Sequence, residues 1–216
     1  MAGGSGSRMK SAMPKQFIEI EKVPVIIRTI NCFLNYNAAI KIIISVHADY
    51  KAHMESLIIK FDLRHADIKI TEGGETRFYS VKNGLQLVND LNGIVGIHDA
   101  ARPFVSAQTI QNCFETAAAK GSAIPCVPVN ESLRKVDVDA NHAVSRSDFK
   151  IIQTPQCFLV SKIKAAFEQE YNLFFTDDAT VLESTGEKII LVDGNEENIK
   201  ITSPHDLLIA NALAKL

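Results

Sequence analysis

Short β-branched runs alternate with amphipathic stretches along this chain, the pattern of successive βαβ units and a largely parallel sheet. Residues 40–46 (IKIIISV) are almost continuously apolar, as expected of a strand buried on both faces. Runs at 68–71, 94–98 (IVGIH), 123–129 (AIPCVPV) and 188–192 (KIILV) repeat the strand pattern. Between them, apolar residues at helical spacing predict helices near residues 49–61, 81–88, 107–120 and 161–171. Gly121 and Gly186 follow helical stretches, where a left-handed cap is expected. The last helix has a defined start: Ser203 as N-cap, Pro204 in the first turn, and Asp206 near the positive end of the dipole.

Residues 131–149 (ESLRKVDVDANHAVSRSDF) break this rhythm. They are polar, alternate weakly and carry a turn signal at 139–141, which predicts a two-stranded arm. An isolated hairpin is marginal in water, so the arm needs a surface to pack on, and a second subunit is the natural one. No internal repeat or linker divides the chain, so residues 1–216 are expected to form one α/β domain carrying the arm at 131–149.

Composition narrows the function classes. With 46% hydrophobic and 22% charged residues and a net charge of −2, the chain does not read as a general nucleic-acid or membrane-surface binder. No apolar run approaches the ~18 residues of a membrane span and no signal peptide is visible, so a cytoplasmic location is expected. Cys32, Cys113, Cys126 and Cys157 are scattered without a CxxC pair, which predicts free thiols rather than a zinc site.

The opening stretch, GGSGS at residues 3–7, has two readings. It is either a flexible linker or a glycine-rich loop that wraps a phosphate, with Arg8 and Lys15 supplying charge. Four further polar clusters sit where a parallel sheet places its functional loops. Gly73-Gly74-Glu75-Thr76-Arg77, then Ser80, follow the strand at 68–71; they suit a close backbone approach to a ligand, or a plain turn. His98-Asp99-Ala100-Ala101-Arg102 follow IVGIH, where Asp99 could meet a metal or ribose and Arg102 a phosphate, or the two could form a surface pair. Thr176-Asp177-Asp178 reads as a helix cap. Lys200 sits in a short apolar run, 198–202, expected as a strand with the lysine facing solvent. No GxSxG, HExxH or GxxxxGK[ST] is present. What remains is anion handling by Arg and Lys around glycine loops, with acids available for Mg²⁺.

Taken in order, AGGSGSRM, PKQF, GGETRFYSVKNGL, HDAARPFV, QTPQCF, TDDA and NIKIT resemble the 2-C-methyl-D-erythritol 4-phosphate cytidylyltransferases of the non-mevalonate isoprenoid route. The resemblance runs from Ala2 to the C-terminus and makes GGSGS the phosphate loop. It implies a Rossmann-like, mostly parallel sheet flanked by helices, a homodimer clasping through the arm, and CTP, a polyol phosphate and Mg²⁺ as partners. It places Ala2, Gly3, Gly4, Gly74, Glu75, Ser80 and Asp99 on the nucleotide, with Asp99 also near the metal. Arg102, Ser132, Arg146, Thr176 and Lys200 fall on the sugar phosphate, Ser132 and Arg146 reaching the neighbouring subunit's site. Arg8, Lys15, Arg146 and Lys200 are implied as the catalytic cations.

Two departures accompany the resemblance. Glu131-Ser132 stands before Arg134 where the family often has Asp-Thr before a lysine. The family's first strand, central in the sheet and ending at the glycine loop, is expected to be missing, which would leave neighbouring backbone groups unpaired. The alternatives are a ribitol 5-phosphate cytidylyltransferase and a nucleotide-binding homologue impaired by that missing strand.

Overall fold

The computed structural model describes residues 1–2 and 13–216. A short hairpin, β1 (Glu19–Ile20) and β2 (Val23–Pro24), leads into α1 (Val25–Tyr36). The apolar run then gives β3 (Ile42–Val46), followed by α2 (Lys51–Lys60) and β4 (Ile68–Glu72). β3 and β4 pair in parallel, from Ile42 opposite Ile68 to Val46 opposite Glu72. Next come α3 (Arg77–Gln86), β5 (Ile94–Ile97), α4 (Ala107–Lys120) and β6 (Ser122–Pro128).

The chain leaves β6 into a polar hairpin, β7 (Leu133–Val136) and β8 (Asn141–Val144), whose register sets Leu133 opposite Val144. β9 (Lys150–Ile152) returns antiparallel along β6, and β10 (Gln156–Leu159) lies antiparallel between β5 and β6. α5 (Val160–Ala166) and α6 (Asp178–Glu183) precede β11 (Leu191–Asp193), which is parallel to β6, and α7 (Pro204–Leu213) follows.

The two halves of the sheet meet at Met1 and Ala2. The Ala2 amide donates to Ser45 O at 2.8 Å, and Ala2 bridges Val46 in parallel. On the other side the Met1 ammonium donates to His98 O at 2.6 Å and the Ala100 amide donates to Met1 O at 3.0 Å, the parallel-ladder pattern around Asp99. β3, β4, β5, β6 and β11 therefore share one direction, and among the described residues of this sheet β9 and β10 oppose it. Behind Met1, β3 and β5 are separated by an apolar cavity of about 640 Å³.

Period-two alternation assigns the two faces of the sheet. Cys157 packs with Cys113 and Ala117 of α4, whereas its neighbour Phe158 packs with Phe78, Ile163 and Phe167 of the opposite helical layer. A third group, around Ile44, Val46, Met54 and Leu57, holds α1 and α2 on the β3 side. All four cysteines are free, and three are buried, as the sequence predicts.

Several boundaries differ from the sequence reading. The helix expected at 81–88 begins at Arg77, because the Thr76 hydroxyl caps the Tyr79 amide. The stretch 49–61 opens with a 3₁₀ turn, Ala48–Tyr50, before α2. α5 stops at Ala166 instead of running to 171, the chain tightening into i→i+3 bonds from Glu168 to Ala165 and Gln169 to Ala166. Residues 198–202 form no ladder; Ile201 alone donates to Ala101 O, at 2.9 Å. Gly121 and Gly186 do carry the predicted positive φ, and Ser203 with Asp206 forms a capping box.

Candidate active site

A buried charge cluster sits where β5 ends. Asp99, 8% exposed, is the focus of three cations. Lys200 Nζ is 2.9 Å and Arg102 Nε 3.3 Å from its Oδ2, while Arg77 Nη2 is 3.8 Å from its Oδ1. Arg77 also pairs with the buried Asp178 at the start of α6. Burial alone would raise the Asp99 pKa, but Lys200, Arg77 and Arg102 hold it well below the usual carboxylate range. Burial likewise opposes the charge on Arg77, and Asp178 outweighs it, so the guanidinium stays ionised. Three cations against two carboxylates leave the cluster disposed toward an anion.

Below Asp99 a hydrogen-bond chain fixes the backbone. The Asp99 amide donates to Thr154 Oγ1 at 3.1 Å, so the threonine hydroxyl donates onward to His98 Nδ1 at 3.0 Å. Nδ1 is then the acceptor, and Nε2–H donates to Arg102 O at 3.0 Å. The His98 ring is neutral: burial lowers its pKa to about 3, although Arg102 O and Asp99 pull the other way. Phe33 packs edge-on against it, with ring centroids 5.0 Å apart.

Lys200 reaches Asp99 because its segment is pinned on both sides. Arg102 Nη1 donates to Asn198 O at 2.7 Å, and the Asn198 side chain, fully buried, donates to Thr154 O at 2.9 Å. The expected strand around Lys200 does not form; the side chain, 41% exposed, keeps one face to solvent and turns its ammonium to the carboxylate. Gln156 ties β10 to α6, its amide donating to Asp177 Oδ2 at 2.7 Å and accepting from the Ala179 amide at 2.9 Å. The reading of residues 176–178 as a helix cap holds, since Asp177 and Thr180 form a capping box. Asp178 departs from it by turning to Arg77.

The glycine turn after β4 closes on itself. The Gly74 amide donates to Ser80 Oγ at 2.9 Å, which holds the turn against the first turn of α3. A Cβ on Gly74 would lie 2.3 Å from Tyr79 Cβ, so only glycine fits. Glu75 is exposed beside it. Ala2 is buried at its bridge, and Gln16 clamps its carbonyl at 2.7 Å. Lys15 opens the 3₁₀ turn Lys15–Phe17. Gly3, Gly4 and Arg8 lie outside the described residues.

Not every expected site residue joins the cluster. Thr176 is exposed beside the cap, and Ser132 and Arg146 lie on the exposed arm, Arg146 donating to Asn130 O. Among the described residues no ion pair joins the arm to Asp99. Sequence reasoning assigned no role to Arg77, Thr154, Gln156 or Asn198. Arg77 was the most legible of these, as a cation between a glycine turn and a helix.

Among the described residues there is no group of three metal-ligating side chains, and no helix is long and apolar enough to cross a membrane. The family model of 2-C-methyl-D-erythritol 4-phosphate cytidylyltransferase matches residues 1–215. A Bacteroides fragilis relative of that name is 46% identical over 215 residues, covering 99% of this chain and 96% of its own. A Porphyromonas gingivalis relative of the same name is 42% identical, covering 99% and 95%. The Anaerococcus prevotii structure titled 4-diphosphocytidyl-2C-methyl-D-erythritol synthase superposes with a TM-score of 0.84 at 27% identity, covering 100% of this chain and 93% of that one. That of the Thermus thermophilus cytidylyltransferase gives 0.78 at 28%, covering 94% of each. The fold is thus the Rossmann-like one of these nucleotidyltransferases, and the chain belongs to the 2-C-methyl-D-erythritol 4-phosphate cytidylyltransferase family.

Proposed function

We infer that the chain transfers the cytidylyl group of CTP to 2-C-methyl-D-erythritol 4-phosphate, giving 4-diphosphocytidyl-2-C-methyl-D-erythritol and pyrophosphate. The observation that carries the reading is the convergence of Lys200, Arg102 and Arg77 on Asp99 at the end of β5. A phosphate oxygen of the polyol forms the new bond to the α-phosphorus, and the α–β bridging bond breaks with its electron pair leaving on pyrophosphate. That nucleophile is already an anion, so no general base is needed. The obstacle is repulsion between two anions, and cations fixed in place reduce it.

In this scheme Lys200 and Arg102 hold the polyol phosphate, with Thr176 at its edge. Arg8 and Lys15 stabilise charge on the triphosphate, and Ala2, Gly3 and Gly4 contact the nucleotide. Gly74, Glu75 and Ser80 read cytosine, the tight turn letting the backbone approach the base. Ser132 and Arg146 are supplied by the arm of a second subunit in a homodimer, which accounts for their separation from Asp99 within one chain.

Mg²⁺ suits this donor set as an ion carried mainly by phosphate oxygens with one protein carboxylate, Asp99. Asp99 Oδ1 has Arg77 no nearer than 3.8 Å, beyond hydrogen-bond range, and so retains a free lone pair. The ion would offset triphosphate charge.

The test is pyrophosphate release from CTP with each polyol phosphate in turn. Turnover with 2-C-methyl-D-erythritol 4-phosphate well above that with ribitol 5-phosphate supports the reading. The reverse preference, or no turnover with either, overturns it.

A further inference from the structure

Arg77 opens α3 against the helix's own electrostatics. A cation at the first helical position faces the positive end of the dipole, and no acidic residue stands in that first turn. A residue that breaks a local preference is answered elsewhere in the fold. The answer is Asp178, 1% exposed, whose Oδ1 takes Nη1 of Arg77. Its Oδ2 is buried without a hydrogen bond among the described residues, so the carboxylate is committed to this one cation. α3 is itself fixed, since Phe78, Val81 and Leu85 sit in the core and Ser80 Oγ accepts from the Gly74 amide. The guanidinium is thus held from two sides, and its Nη2 stands 3.8 Å from Asp99 Oδ1. Lys200 and Arg102 both engage the opposite oxygen, Oδ2. Cations on both sides set the plane of the Asp99 carboxylate. The direction in which Oδ2 aims the Lys200 ammonium is set with it.

We propose that Arg77 is a positioning residue for the group transfer: anchored by Asp178, it orients Asp99 and, through it, the Lys200 ammonium that meets the attacking phosphate. This role rests on the cytidylyl-transfer reading and deepens it. A direct role on the triphosphate fits less well, because both terminal nitrogens of Arg77 already face carboxylates. A planar fork can place one nitrogen on each of two carboxylates, whereas a lysine head is a single point charge.

Steady-state kinetics with 2-C-methyl-D-erythritol 4-phosphate, beside thermal melts, test the role through non-additivity. Arg77→Met alone strands a buried carboxylate, so it is combined with Asp178→Asn. The two substitutions together are expected to lower kcat/KM for the polyol phosphate about tenfold or more, with Tm within a few degrees of the parent. On a Lys200→Ala background they are expected to cost less than about threefold, because the residue they act through is already gone. Arg77→Lys keeps Asp178 paired and the fold intact, and is expected to lose about fivefold or more. Losses that multiply in full on the Lys200→Ala background overturn the proposal, as do parental kinetics in Arg77→Lys. A parent chain without turnover overturns the cytidylyl-transfer reading and this role with it. A parent that turns over while the losses multiply overturns the positioning role alone.

Discussion

Lys200 Nζ lies 2.9 Å from Asp99 Oδ2, with the lysine two-fifths exposed and the aspartate nearly sealed from solvent. The pair is asymmetric: a fixed anion aims a cation whose other face is open to the solution. Its contribution to stability is small, since a half-exposed ion pair gives about 0–1 kcal/mol. Its contribution to rate is large if Lys200 meets the attacking phosphate. Lys200→Ala is expected to lower kcat/KM by ~10²–10³, with Tm within a few degrees of the parent. Steady-state kinetics beside a thermal melt decide this; a loss under threefold removes Lys200 from the mechanism.

Lys15 heads the turn whose next residue, Gln16, clamps the Ala2 carbonyl. Lys15→Ala is expected to cost ~10² in turnover through lost charge on the triphosphate, leaving circular dichroism and Tm close to the parent. Unchanged turnover would place the triphosphate elsewhere.

The Gly74 turn has no space for a side chain, because a Cβ would stand 2.3 Å from Tyr79 Cβ. Gly74→Ala is expected to destabilise by roughly 2 kcal/mol, a Tm drop of roughly 4–8 °C, and to weaken CTP binding more than binding of the polyol phosphate. Calorimetric titration with each ligand separates the two effects; equal weakening would contradict the assignment of this turn to cytosine.

His98 makes stability depend on pH. Its folded pKa, about 3, lies below the unfolded value of about 6.5, so the unfolded chain binds the extra proton and stability falls as the solution is acidified through that window. From pH 7 to pH 5 the loss from this residue is about 2 kcal/mol. The Met1 amine, lowered to about 6 from 8.0, acts in the same direction over a higher range. Denaturant melts of the parent and of His98→Gln at the two pH values isolate the histidine: the variant is expected to show the shallower dependence.

The arm is expected to be covered in a homodimer. Val136 and Val138 are 77% and 99% exposed on a hairpin too small to be stable alone. Light scattering at micromolar concentration should give twice the chain mass. Shortening the hairpin between Val136 and Asn141 should leave the βα core folded and shift the protein toward monomer.

The β-branched runs were legible because burial on both faces of a parallel strand demands them, and the arm was legible because it breaks that demand. β10 was not. QTPQCF is short, and its antiparallel insertion depends on β5 and β6 leaving a place for it, a relationship no local pattern encodes. The same division holds in the site. Asp99 and Arg102 could be read from their place after a strand, whereas the run around Lys200 alone suggested a strand, and only the order of the motifs brought that lysine into the site. Arg77 owes its role to Asp178, which lies 101 positions away in the chain. Thr154 and Asn198 are uncharged, and only their bonds in the folded state give them meaning.

The residues that support the charged cluster are carboxamides. Gln153 donates to Asn195 O, Asn195 to Phe104 O, Asn198 to Thr154 O, and Gln156 to Asp177. An amide has no proton to gain or lose across the physiological range, so these struts keep one geometry whatever the ionisation of the groups around them. Hydrolysis of Asn198 to aspartate would remove the donor that holds Thr154 O and set a new anion under Arg102, in the floor on which Lys200 is mounted. An Asn198→Asp variant should therefore weaken polyol-phosphate binding by more than it lowers Tm.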